Sequence, residues 1–204
     1  QEVKISLMEN IDPKDIQELI DRTRIYDVLT RYCRALDRCD VDLMRSVYWD
    51  DARDDHGVFN GGAQEFAKFI IREIQQWFEV TMHAIMNVHM EIDDKTACTE
   101  SYLFAYHKVR GDRNKVEEIF GSKYLSQFDW SKVDGIPHVF YYGGRYVDRL
   151  EKRESEWKIS HRQVVMDWNH NEISTGIFDE GMFKTLTLRG TRGHMDPVFK
   201  NIIG

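Results

Sequence analysis

Along this chain the spacing of apolar residues changes once, from every third or fourth position to every second. That change restricts the fold more than any other feature. Asp12-Pro13 supplies a helix start, with Asp as cap and Pro at the first helical position. The stripe Ile16, Leu19, Ile20, Leu29, Tyr32, Cys33 and Leu36 follows, and Asp37 closes it. Asp40 caps a short second helix carrying Val41, Leu43, Met44 and Val47. The run from Asp54 through His56-Gly57 to Gly62 reads as a short strand and a turn. Phe66, Phe69, Ile70, Ile74 and Trp77 then mark a third helix over 63–78.

From His83 the period is two. Ala84, Met86, Val88, Met90 and Ile92 fall on one face of a strand, with His83, Ile85, Asn87, His89 and Glu91 on the other. A turn at Asp93-Asp94-Lys95 leads to a second strand over 96–110, and strands at 139–151 and 157–168 form another hairpin. Helices followed by an antiparallel meander predict an α+β domain, with the helices on one face of a curved sheet and a pocket between the layers. Residues 1–11 are expected to be an N-terminal extension, 12–169 the domain, 111–135 a polar loop or insertion, and 170–204 a tail that wraps the domain or covers a neighbouring subunit.

The net charge of −7 excludes the basic footprint that nucleic-acid binding requires. No apolar run is long enough to cross a bilayer and no leader pattern opens the chain, so the expected location is cytoplasmic and no membrane partner is expected. Cys33, Cys39 and Cys98 show no metal spacing. Cys33 and Cys98 are expected as small buried hydrophobes in a reducing compartment. Phosphate loops, a dinucleotide fingerprint, Gly-x-Ser-x-Gly and HExxH are all absent, so neither cofactor nor metal is expected.

Chemistry by side chains alone needs a proton acceptor that works near neutral pH, and histidine held by a carboxylate is the simplest one. His83 follows the third helix at the mouth of the expected pocket, and Asp37 ends the first helix. Tyr32 lies five residues earlier, about 140° around the helix axis, so it shares that space only if the helix bends or the pocket is wide. Arg145 and Arg162 either bind an anionic substrate group or pair with Asp148 or Asp167. The aromatics Tyr48, Trp49, Phe59, Tyr102, Phe104, Tyr141 and Trp168 either line the pocket or fill the core.

The run Arg31-Tyr32-Cys33-Arg34-Ala35-Leu36-Asp37, then Asp40, Trp49-Asp50-Asp51-Ala52 and Asp54-Asp55-His56-Gly57, resembles the SnoaL-like domain of the nuclear transport factor 2-like superfamily. Thr81-Met82-His83 with Asn87, Gly144-Arg145-Tyr146 and Trp157-Lys158-Ile159 extend the resemblance over roughly residues 12–168. The resemblance implies a cone: a curved antiparallel sheet whose helices enclose a cavity. It also implies kinship with cofactor-free enzymes, among them scytalone dehydratase, a bile-acid dehydratase and diarylpropane lyases. In such enzymes an Asp at this helix end orients a His that removes a proton from carbon, and the bile-acid enzyme adds a Tyr; Asp37, His83 and Tyr32 fall on those positions. An Arg of that enzyme's last strand falls at Met166 here. The expectation is a lyase acting on a small aromatic or polycyclic molecule, releasing water or another small group such as formaldehyde. An isomerase, a polyketide-type cyclase and a non-catalytic ligand-binding module are the alternatives. Tyr48, Trp49, His56, Asn87, Tyr102 and Arg145 are the expected substrate-binding set, with Tyr32 or Arg145 as proton donor. A homodimer or homotrimer is expected.

Overall fold

The computed structural model describes residues 12–200; the extension expected at 1–11 lies outside the described residues. Helix α1 (Pro13–Arg38) starts where Asp12 accepts the Lys14 amide at 2.9 Å, and it ends where Cys39 turns left-handed at φ 53°. Asp40 then caps α2 (Val41–Ser46) by accepting the Leu43 amide at 2.9 Å. Next come β1 (Tyr48–Asp55), β2 (Asn60–Gly62), α3 (Ala63–Trp77), β3 (Phe78–Asp93) and β4 (Thr96–Gly111). After α4 (Arg113–Phe120), α5 (Ser122–Leu125) and α6 (Trp130–Val133), the long strands β5 (Gly135–Arg153) and β6 (Glu156–Ile173) close the sheet.

The six strands lie in the order β2-β1-β6-β5-β4-β3. The sheet is mixed rather than wholly antiparallel, because β1 runs parallel to β6. No hairpin joins those two strands, so nothing in their connection forces them to oppose. The apolar face of α1 (Ile25, Leu29, Tyr32, Leu36) and that of α3 (Phe66, Ile70, Ile74) pack on the inner sheet face, against Leu103, Ala105, Tyr146, Leu150 and Ile159.

The simple alternation expected for β3 does not hold. Ile85 pairs with Leu103 but Val88 pairs with Ser101, so three residues of β3 span two of β4. This bulge flips the parity and puts His83 and Ile85 on the same inner face as Val88, Met90 and Ile92. Cys98, expected to be buried, is exposed, because it belongs to the outward set of β4.

Residues 111–135 hold three short helices instead of an irregular loop. Asp112 caps α4 through the Lys115 amide, and Val116, Tyr124 and Leu125 form a small core of their own with Phe120, Phe128 and Trp130. The polar residues that suggested a loop are the solvent faces of these helices. The tail folds back on the end of α1: Arg38 donates to the Thr191 carbonyl at 2.8 Å and pairs with Asp196 at 2.7 Å. No helix among the described residues is long and apolar enough to cross a membrane.

Candidate active site

Asp37 sits on the last turn of α1, where a carboxylate meets the negative end of the helix dipole. Three donors offset that. The His83 amide reaches Oδ2 at 2.9 Å, the Thr81 hydroxyl reaches Oδ1 at 2.9 Å, and His83 Nδ1 lies 2.7 Å from Oδ1. Asp37 thus holds the backbone of His83 through one oxygen and its ring through the other, which fixes where the imidazole sits. With its proton on Nδ1, the ring presents the Nε2 lone pair. Its side chain is only 6 % exposed. Replacing Thr81 by Val removes one donor to the Asp37 carboxylate, and any turnover that depends on the Asp37–His83 pair should fall about tenfold with the fold retained. Steady-state rates beside a thermal melt check this.

His83 lines a cavity of about 340 Å³ on the inner face of the sheet. Leu103 and Ala105 of β4, Phe140, Tyr142 and Tyr146 of β5, and Val164 and Met166 of β6 make its walls largely apolar. His56, Gly57 and Val58 close one side. The volume and lining suit a small, mostly apolar molecule. Burial pushes the Tyr142 phenol up to about 12, so it faces the cavity as a neutral hydrogen-bond donor.

His107 packs edge-on to His83, with ring centroids 5.0 Å apart, and stacks on Phe140 at 4.2 Å. Burial holds its pKa well below the usual histidine value, and neighbouring His83 adds to the effect. The folded chain thus keeps His107 neutral where the unfolded chain, titrating near about 6.5, takes up a proton. Below about pH 6.5 the unfolded state binds more protons, so stability falls with pH. Thermal melts should show the midpoint dropping between about pH 7 and pH 5, and dropping less in His107→Phe. Identical slopes for the two proteins would contradict this reading.

Of the substrate-binding residues expected from sequence, only His56 reaches the cavity wall. Tyr48 is 1 % exposed in the core, where its hydroxyl donates to Asp54 at 2.5 Å. Trp49 lies on the opposite side of β1, its indole donating to the Glu151 carbonyl and flanked by Arg153 and Lys158. Asn87 is exposed within the β3 bulge. Tyr102 points outward from β4, 43 % exposed. Arg145 is also on the outer face, held by Asp167 at 2.9 Å through two nitrogens and by Glu100 at 2.8 Å. Those carboxylates push its pKa up and occupy its donors.

Tyr32 belongs to the core and is absent from the cavity wall. Its ring lies against Arg162 at 3.9 Å, and burial pushes its phenol well above the usual range. The five-residue offset from Asp37 turns it toward the sheet instead of toward His83.

Thr81, His107 and Tyr142 were not singled out for these positions. The inward set of β4 runs through every second place, as Ala97, Thr99, Ser101, Leu103, Ala105 and His107, and its last three members line the cavity. Arg192, from the tail, donates to the Ile74 carbonyl at 2.6 Å and lies near Asp37, with burial lowering its pKa. No His, Cys, Asp and Glu cluster suited to a metal ion occurs among the described residues.

Comparison with known proteins places this geometry in context. A family model described as a SnoaL-like domain matches residues 17–163. Among solved structures, a hexachlorocyclohexane dehydrochlorinase (LinA) type 2 superposes with a TM-score of 0.62 at 16% identity, covering 80% of this chain and 96% of that one. A putative scytalone dehydratase from Novosphingobium aromaticivorans gives 0.58 at 16% identity, covering 78% and 92%. The LinA-type3 dehydrochlorinase from Novosphingobium barchaimii gives 0.60 at 16% identity, covering 80% and 96%. At such identities these likenesses establish a shared fold. A search of curated proteins finds no sequence match.

Proposed function

The chain belongs to the SnoaL-like domain family, and from that premise we propose that it is a cofactor-free lyase acting on a small aromatic or polycyclic molecule. One observation carries this reading: a carboxylate holds Nδ1 of His83 while the same imidazole lines a largely apolar cavity. His83 is the base. It takes a proton from a carbon beside a carbonyl or a phenol-bearing ring, which delocalises the charge left behind. Asp37 keeps the ring in the tautomer that offers Nε2 and stabilises the imidazolium that forms. The group on the neighbouring carbon then departs with the electron pair. Elimination needs only a base and a donor held on either side of the breaking bonds. That the structural relatives include a dehydrochlorinase and a putative scytalone dehydratase supports this class of reaction.

The test is a panel of aromatic β-hydroxy and β-halo ketones and phenols, with products read by mass. Loss of water, hydrogen halide or a one-carbon fragment supports the reading. A product isobaric with its substrate turns it toward an isomerase or cyclase. A molecule that binds unchanged turns it toward a ligand-binding module.

A further inference from the structure

The lyase reading leaves the proton donor unassigned, because the structure buries Tyr32 away from the cavity and ties up Arg145 on the outer face. A second histidine–carboxylate pair stands at the same cavity. His56 Nδ1 lies 3.3 Å from Oδ1 of Asp54. Asp54 is completely buried, and its other oxygen accepts the Tyr48 hydroxyl at 2.5 Å. His56 itself remains 21 % exposed, its ring tilted over Phe66 at 4.9 Å. The two histidines come from opposite margins of the sheet. His56 follows β1, His83 lies on β3, and β6, β5 and β4 run between those strands. The base and this second imidazole thus reach one small apolar space from different walls.

We propose that His56, backed by Asp54, is the catalytic acid that protonates the departing oxygen; the assignment rests on the lyase reading. To act as the acid, His56 carries a proton on each ring nitrogen, with Asp54 Oδ1 facing its Nδ1. His83 Nε2 bonds to the substrate proton, and the C–H electron pair becomes the new C=C. The C–O bond breaks with its electrons on oxygen, which takes the proton from His56 Nε2 and leaves as water. His83 ends with two N–H groups and His56 with one, on Nδ1. Proton exchange with solvent restores both.

The experiment uses the full chain and two matched probes, a β-hydroxy aryl ketone and its β-chloro counterpart. Hydroxide needs a proton as it leaves, whereas chloride does not. His56→Gln is expected to slow water loss about 100-fold and hydrogen chloride loss less than about fivefold, while His83→Gln slows both. Equal slowing of both probes, or of neither, by His56→Gln overturns the assignment. So does the same discrimination appearing in Tyr142→Phe in place of His56→Gln. The lyase reading fails differently, through absence of turnover of either probe or through an unimpaired His83→Gln. In that event nitrogen-15 spectra of histidine-labelled chain still test the pair. A slowly exchanging Nδ1 proton on His56 that is lost in Asp54→Asn upholds it. Exchange as fast as that of exposed His170 overturns it.

Discussion

Replacing His83 with Gln should lower kcat/KM by about 1,000-fold on any substrate the chain turns over. Glutamine keeps much of the size and some of the polarity of the imidazole but cannot accept a proton at working pH. Asp37→Asn should cost about 100- to 1,000-fold by a different route. The carboxylate now accepts the His83 amide, the Thr81 hydroxyl and the ring Nδ1. An amide offers one oxygen and an NH2, so it favours the tautomer that turns the lone pair toward residue 37 and away from the cavity. Both variants should melt within a few degrees of wild type, since neither leaves an unpaired buried charge. Rates and melts measured together separate this from a folding defect.

The largest stability effect should come from a site with no part in the chemistry. Arg162 and Asp148 are both fully buried and joined by two bonds of 2.7 and 2.6 Å. The guanidinium also lies between the Tyr32 and Tyr146 rings, at 3.9 and 4.1 Å. Burial pushes the Asp148 carboxyl up even though Arg162 opposes it. Arg162→Met leaves a buried carboxylate without its partner and should cost about 3–5 kcal/mol. For a chain of this size that lowers the melting temperature by about 6–20 °C. The double variant Asp148→Leu with Arg162→Met should recover most of the loss, because matched apolar residues avoid desolvating two charges. Thermal and urea denaturation read both. A single variant within about 1 kcal/mol of wild type would show that water reaches this site.

The single change of hydrophobic period was enough to give three helices, two long hairpins and their layering, because periodicity reports directly which face is buried. It could not give the β3 bulge, which inserts one residue between Ile85 and Val88 and is set by pairing with β4. That one residue is why Asn87 reads as a neighbour of His83 in sequence and lies outside the cavity in space. The parallel contact of β1 with β6 was invisible for a related reason: local pattern does not encode which strand edges meet. At the site, Asp37 was legible because it ends α1, whereas His83, read as the first residue of its strand, lies six residues into β3, which already begins at Phe78. Tyr48 and Tyr102 were misplaced because an aromatic in a strand fits core, cavity and outer face equally well by composition. Arg145 went the same way: its partners Glu100 and Asp167 come from two other strands and become neighbours only in the sheet.

The claim that His83 removes a carbon-bound proton is tested most directly by labelling that proton. A panel substrate carrying deuterium at the acidic carbon should show a primary isotope effect on kcat/KM with the wild-type chain. The label should be missing from the eliminated product, and His83→Gln should leave the substrate intact. A product that retains the label, or a His83→Gln variant that removes it at the wild-type rate, would contradict the account.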